Sequence, residues 1–225
     1  MAQGKMIVID GGDGSGKSTQ FKLLLARLQN EDRDVITMDF PQYGKKSCGA
    51  VEEYLNGKYG SPDEVGPYRG SIFFAVDRYD ASFEMRKALD EGKIVLCNRY
   101  VTANMAHQGG KIADEAERAK YFEWLKELEF NIFAIPKPDI NIFLHVPPEI
   151  ALELVDKKGH RDYIGGEGRD LHEADMQHQK NTEKVYLQLV NILPNTFMVE
   201  CAPNNKLLTP EVVHEQVWEI VKKQL

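Results

Sequence analysis

Only three cysteines, Cys48, Cys97 and Cys201, occur among the 225 residues, and they stand far apart in the chain. Neither a CxxC pair nor another zinc-ligand spacing is present, so no disulfide framework and no cysteine metal site is expected. Cys97 and Cys201 fall in apolar, strand-like runs and read as buried thiols, a usage that suits a reducing compartment. No apolar run reaches the roughly 18 residues that a membrane span needs, and the N-terminal residues lack the apolar stretch of a secretion signal. The expected location is therefore cytoplasmic, with no membrane partner. Basic residues are outnumbered, 28 Lys and Arg against 35 Asp and Glu, for a net charge of −7. That balance argues against a general nucleic-acid-binding surface, though local basic clusters can still hold nucleotide phosphates. Repeats and linker-like stretches are also lacking, so residues 1–225 are expected to form one domain.

What is present is a phosphate-binding pattern. Gly11-Gly12-Asp13-Gly14-Ser15-Gly16-Lys17-Ser18 fits G-x-x-x-x-G-K-[ST] without mismatch. The apolar run Met6–Ile9 precedes it, and a helical pattern with Phe21, Leu24, Leu25 and Leu28 on one face follows at once. Glycines let successive backbone N–H groups turn inward around phosphate oxygens, and the helix directs its positive end at the same anion. Lys17 supplies a point charge for the outer phosphates, and the Ser18 hydroxyl is placed to ligate Mg²⁺. Residues Gly11 to Thr19 are thus expected to bind a nucleoside triphosphate.

Strand-like and helix-like segments alternate along the rest of the chain. This predicts an α/β fold with a five-stranded parallel sheet and helices on both faces. The strands are expected at Met6–Asp10, Val35–Asp39, Ile94–Asn98, Ile140–Val146 and Phe197–Cys201. Helices are expected at residues 67–91 and 114–130, from Pro147-Pro148 to about Lys158, up to about Leu193, and after Thr209-Pro210. Residues 159–171 are glycine-rich, strongly charged and without apolar period, as a short lid would be. In such a sheet, ligands gather at the carboxyl ends of the strands. There the chain places Phe40-Pro41-Gln42-Tyr43 after the second strand and Asn98-Arg99-Tyr100 after the third, with Phe74-Ala75-Val76-Asp77-Arg78 on the helix between.

In this order and spacing, these strings, the Pro136-Lys137-Pro138-Asp139 run before the fourth strand and the charged lid resemble the thymidylate kinases over essentially the whole chain. The resemblance implies transfer of the terminal phosphate of ATP to thymidine monophosphate (dTMP), dependence on Mg²⁺, and a homodimer. Residue by residue, Phe74 matches the aromatic that stacks on thymine, Arg78 the residue that bonds a base oxygen, and Asn104 a position that reads the base edge in some bacterial members. Without the resemblance, Phe74 reads equally as a core aromatic, and Arg78 as the partner of Asp77 or Asp80 in a surface ion pair. Arg99 matches the arginine that grips the acceptor phosphate, Phe40 and Tyr43 line that pocket, and Asp13 matches the carboxylate that contacts the sugar 3′-hydroxyl and the metal region.

The lid offers Lys158, His160, Arg161 and Arg169 between hinges at Gly159, Gly165, Gly166 and Gly168. Phosphoryl transfer requires charge neutralisation with water excluded, which a closing basic flap supplies. In this family the catalytic arginine comes from the phosphate loop or from the lid. Gly14 occupies the loop position here, so Arg161 and Arg169 are the candidates, unranked, with Asp170 and Glu173 as lid acids that orient them or the metal shell. The family's strand-end Asp is replaced by Asn98, expected to reach Mg²⁺ through water; Gln42 stands for a basic residue, with Lys45 near enough to compensate. His107 replaces an aromatic that rejects the ribose 2′-hydroxyl, which implies looser sugar discrimination. His160, His172 and His178 show no metal spacing. Two other readings stay open: a P-loop kinase for a different monophosphate or a deoxynucleoside, and a non-catalytic nucleotide-binding protein. A GTPase switch would carry NKxD, and Asn205-Lys206-Leu207-Leu208 lacks the Asp.

Overall fold

In a computed structural model that describes residues 4–158 and 176–225, five parallel strands form one sheet in the order β2-β3-β1-β4-β5. They are β1 Lys5–Gly11, β2 Val35–Asp39, β3 Ile94–Asn98, β4 Ile140–His145 and β5 Thr196–Glu200. The expected five-stranded parallel sheet is found, with ends shifted by a residue or so. Alternation along β1 explains why both faces are covered. Met6 and Val8 enter one apolar cluster with Val95, Cys97 and Phe143, whereas Ile7 and Ile9 enter a second with Leu96, Ile142 and Leu144. A strand buried on both sides reads as a continuous apolar run, as these do.

Eight α-helices connect and cover the strands among the described residues: α1 Lys17–Asn30, α2 Gly49–Leu55, α3 Pro62–Asp90, α4 Val101–Gly109, α5 Glu115–Lys126, α6 Pro148–Lys158, α7 Met176–Ile192 and α8 Pro210–Val221. The first cluster is completed by Met85 of α3, Met105 of α4, Leu125 of α5 and Leu189 of α7; the second by Leu24 and Leu28 of α1 and Val217 and Trp218 of α8. The long helix begins five residues earlier than expected. Ser61 and Glu64 form a reciprocal cap, with Ser61 N donating to Glu64 Oε2 at 2.7 Å, and Pro62 fills the first position. Gly66, at φ +72°, then breaks the run just before Pro67. Helix α4 was not expected, because eight of its nine residues are buried and no amphipathic period remains to mark it. Beyond Lys126, α5 widens into a π-helical turn, Glu127–Ile132. No helix of the described residues is long and apolar enough to cross a membrane. The expected lid, residues 159–171, lies outside the described residues.

Strand β1 pairs with β3 on one side and β4 on the other. Its carboxyl end is thus where the chain order reverses across the sheet, the place where α/β folds bind ligands. Register brings Ile9 and Asp39 beside Asn98. The phosphate loop and the ends of β2 and β3 consequently open into one crevice.

Candidate active site

The loop between β1 and α1 is shaped by its own backbone. Ser15 N donates to Gly12 O at 3.2 Å, and Gly16, at φ +87°, precedes the first turn of α1, where Thr19 N donates to Gly16 O at 3.0 Å. Gly14 has φ +79°, and a Cβ there would collide with the backbone carbonyl of Ala151 on α6. An arginine at this position is excluded by conformation and by space. Lys17 Nζ donates to the carbonyls of Gly11 at 3.0 Å and Gly12 at 2.6 Å, so the buried ammonium closes over the loop. Ser18 and Thr19 are exposed at the helix start.

Beneath the loop lies a residue that the sequence did not single out. Asp10, almost fully buried, accepts from Thr102 Oγ1 at 2.6 Å, Tyr186 Oη at 2.6 Å and Gly11 N at 2.9 Å. Burial pushes its carboxyl above the ordinary value, and these donors work against the rise. The carboxylate ties the root of the loop to α4 and α7. Only its place at the end of a strand hinted at this.

Two adjoining cavities open from the loop. The larger, about 680 Å³, is lined by Asp13–Ser18, Thr37–Tyr43, Lys45, Glu84, Asn98 and Arg99. The smaller, about 60 Å³, is lined by Phe74, Arg78, Ala103, Asn104 and His107 among others, and shares Asp13, Phe40, Pro41, Tyr43 and Arg99 with the first. Asp13 and Arg99 form an ion pair where the cavities meet, and Lys17 lies 3.9 Å from Asp13. Burial opposes the Arg99 charge, but Asp13, Tyr186 and Asp10 more than offset it and hold the guanidinium above its ordinary value. Arg99 sits at φ +63°, an uncommon conformation for a residue with a side chain, and its N–H is tied to Ile9 O at 2.9 Å.

The small cavity is framed by α3 and α4. Phe74 is half-buried and meets Tyr54 edge-on, their centroids 6.1 Å apart. Phe40 is buried against Tyr100 at 5.7 Å, and the Phe40-Pro41 peptide is cis. The ion pair of Arg78 is not with Asp77 or Asp80, the partners its neighbours in sequence suggested. It is with Glu129 of the π-helical turn, through Nε–Oε2 at 2.9 Å and Nη2–Oε1, with 3 % and 0 % of the two side chains exposed. Asp77 instead accepts from Gln42 N and Ser47 Oγ, both at 2.8 Å, so Gln42 is committed to holding the β2–α2 connection. Lys45 Nζ rests on Gln42 Oε1 at 2.6 Å and lines the large cavity. Asn104 Nδ2 donates to Ser71 O at 3.3 Å, and its Oδ1 is buried without a partner. His107 borders both the small cavity and a cleft with His178, and the two rings meet at Nδ1–Nε2, 3.3 Å.

At the far wall, Asn98 Nδ2 donates to Asp39 Oδ1 at 2.8 Å, leaving the buried Asn98 Oδ1 without a partner. Burial raises the Asp39 carboxyl, while Asn98, Arg99 and Lys17 counter it. The unsatisfied amide oxygen, the Asp13 and Asp39 carboxylates and the Ser18 hydroxyl are all hard oxygen donors around one cavity, a set that fits Mg²⁺. The structure brings together Asp13, Lys17, Ser18, Phe40, Tyr43, Phe74, Arg78, Asn98, Arg99, Asn104 and His107. Arg161, Arg169, Asp170 and Glu173 lie outside the described residues. The supporting carboxylates Asp10, Asp39 and Glu129 had no motif to reveal them.

A sequence model of the family described as Thymidylate kinase matches residues 9–217. The thymidylate kinase of Mycobacterium tuberculosis is 31 % identical over 185 residues, covering 82 % of this chain and 85 % of that protein. A probable thymidylate kinase of Pyrococcus abyssi is 27 % identical over 226 residues, 99 % of this chain and 98 % of its own. Among solved structures, the thymidylate kinase of Candida albicans superposes with a TM-score of 0.75 at 23 % identity, covering 99 % of this chain and 93 % of that one, which speaks for the fold. With a family match over nearly its whole length, the chain belongs to the thymidylate kinase family.

Proposed function

We propose that the protein transfers the γ-phosphoryl group of ATP to dTMP, giving dTDP. The observation that carries this reading is the meeting of the two cavities at Asp13 and Arg99. A phosphate-binding loop opens on one side, and a small pocket lined by Phe74, Arg78 and Asn104 among others opens on the other. Residues Gly11 to Thr19 take the donor phosphates, and Lys17 leaves its loop carbonyls to meet them. Arg99 grips the acceptor phosphate with a planar fork, and Asp13 faces the sugar and the metal region. Phe74, Arg78 and Asn104 take the base, with Phe40 and Tyr43 closing the wall. Ser18 and Asp13 would hold Mg²⁺, with Asn98 as the residue that would support its water shell. When bound it neutralises charge on the β- and γ-phosphates.

The lid at residues 159–171 completes a single kinase domain over residues 1–225, with Arg161 or Arg169 meeting the transferring phosphoryl group. Two observations support that placement. Gly14 leaves no room for an arginine in the loop. The helices on either side of the lid, through Pro148 and Ala151 of α6 and His178 and Thr182 of α7, border the same cleft as Gly12 and Asp13.

Tyr68, Ile72, Val76, Tyr79 and Phe83 form an exposed apolar stripe down one face of α3, with Phe83 58 % exposed. A stripe of this kind marks a docking face, and we read it as the homodimer surface. Phe83→Glu should yield a monomer in sedimentation. The cytosol is the proposed location, in keeping with three buried free thiols.

A panel of acceptors with ATP and Mg²⁺ tests the activity. dTMP should be the preferred acceptor, ahead of other monophosphates and of thymidine itself. A free deoxynucleoside or another monophosphate outcompeting it by a wide margin would sink the reading. His107, an imidazole on the sugar side, predicts measurable turnover of the ribonucleotide counterpart.

A further inference from the structure

Glu129 is a fully buried carboxylate whose side-chain hydrogen bonds among the described residues all go to Arg78. It projects from the π-helical turn Glu127–Ile132, where Phe133 N donates to Leu128 O at 2.9 Å and so widens the helix by one residue. Both of its oxygens are spent on Arg78, Oε2 with Nε at 2.9 Å and Oε1 shared between Nε at 3.1 Å and Nη2. Among the described residues this leaves both N–H groups of Nη1 and the second N–H of Nη2 without a hydrogen bond, on a residue that lines the small cavity.

Two physical consequences follow from the pairing. A lone guanidinium in a cavity of about 60 Å³ would attract a full anion. Paired with Glu129 it is neutral overall, so its remaining N–H donors suit an uncharged acceptor. A bidentate contact also fixes the guanidinium plane, so those donors keep fixed directions. The same cavity holds Asn104, whose Nδ2 is committed to Ser71 O and whose Oδ1 is unpartnered. Gln108 Oε1 is a second unpartnered acceptor among the lining residues, but the donor Arg78 Nη1 and the acceptor Asn104 Oδ1 belong to the two side chains read as facing the base. They match a ring carbonyl beside a ring N–H, and they mismatch an exocyclic amine beside a bare ring nitrogen.

We propose that Glu129 is a positioning residue for base recognition. By neutralising and fixing Arg78 it leaves Nη1 as the nitrogen with no bond to protein, and it thereby sets the preference for oxo- over amino-pyrimidine acceptors. The proposal rests on reading the small cavity as the acceptor-base pocket. Its test uses Glu129→Gln and Glu129→Asp in steady-state assays with dTMP, and with 5-methyl-dCMP as a substrate or competitive inhibitor differing only at that base edge. Glu129→Gln should raise KM for dTMP by about ten- to a hundredfold, as expected on losing a well-placed charge-assisted hydrogen bond. Turnover and KM for ATP should change by less than about threefold. The preference for dTMP over 5-methyl-dCMP should fall at least tenfold, with Glu129→Asp in between. A purely structural Glu129 would lower the melting temperature and the active fraction while leaving KM and the preference unchanged, and that result overturns the proposal. Should Glu129→Gln not accumulate as folded protein, Glu129→Asp decides by the same criteria. Wild-type protein that fails to phosphorylate dTMP removes the functional reading itself. An active wild type with variants of unchanged selectivity removes only the role of Glu129.

Discussion

The two halves of the site are built from different materials. In the half proposed for the phosphates the parts are backbone groups of one contiguous loop, closed by a lysine that rests on the loop's carbonyls. In the half proposed for the base they are side chains from α3 and α4, with Arg78 locked by a buried ion pair to the π-helical turn. The difference teaches how each half selects. Backbone N–H groups recognise any polyphosphate, because they read only charge and spacing. On the reading proposed above, a fixed guanidinium and amide would read the order of donors and acceptors on one ring edge. Donor affinity and acceptor identity are thus expected to fail independently.

That independence is open to attack from both sides. The largest effects should come from the phosphate half. Lys17→Ala should abolish measurable turnover, and replacing the arginine proposed to act, Arg161 or Arg169, by Ala should slow turnover by about 10³–10⁵ with KM for dTMP within a few-fold. Single-turnover rates check this; if both lid variants keep near-normal rates, the lid has no part in the chemistry. A smaller effect is expected from the base half. Phe74→Ala should raise KM for dTMP by about tenfold and leave KM for ATP unchanged. An unchanged KM would mean the ring is only part of the wall.

The smallest effect tests the flank. His145 lies between Glu183, at 2.8 Å from Nε2, and Glu200, at 2.6 Å from Nδ1. The hydrogen bond with Glu183 is the main force lifting its pKa above the ordinary value; burial opposes the rise and Glu200 adds to it. A raised folded value means that the imidazolium stabilises the fold fully below the unfolded pKa of about 6.5, and that this stability is lost as pH rises through the folded value. The melting temperature of wild type minus that of His145→Gln should therefore shrink as pH rises from about 6 to 9. A difference independent of pH would show that the ring is neutral throughout.

The contrast between the halves also explains what was legible in the residues alone. The loop was readable because its function is local: Gly11 to Ser18 are consecutive, and their chemistry needs no distant partner. The three inner strands β1, β3 and β4 were readable because each is an apolar run buried on both faces, and the half-buried edge strands β2 and β5 because they keep short β-branched or aromatic runs. Glu129 and Asp10 were not, since a lone acidic residue in a helical or strand pattern looks the same whether it meets solvent or a buried partner. Their roles arise only when the sheet brings Tyr186 to Asp10 and the widened turn brings Glu129 to Arg78. Helix α4 escaped for the opposite reason, being buried on nearly all sides.

The position of β1 in the sheet carries a consequence for synthesis. This strand lies at the centre and precedes every strand it will pair with; Met6 registers with Val95 and Ile7 with Ile140. Its sequence neighbour β2 cannot satisfy it, because β3 lies between them. During synthesis both hydrogen-bonding edges of an apolar strand therefore wait until most of the chain has emerged. Pairings so distant in sequence fold slowly and leave the strand open to association with other chains. The parallel order that assembles the crevice thus makes the nascent protein depend on protection until β4 arrives.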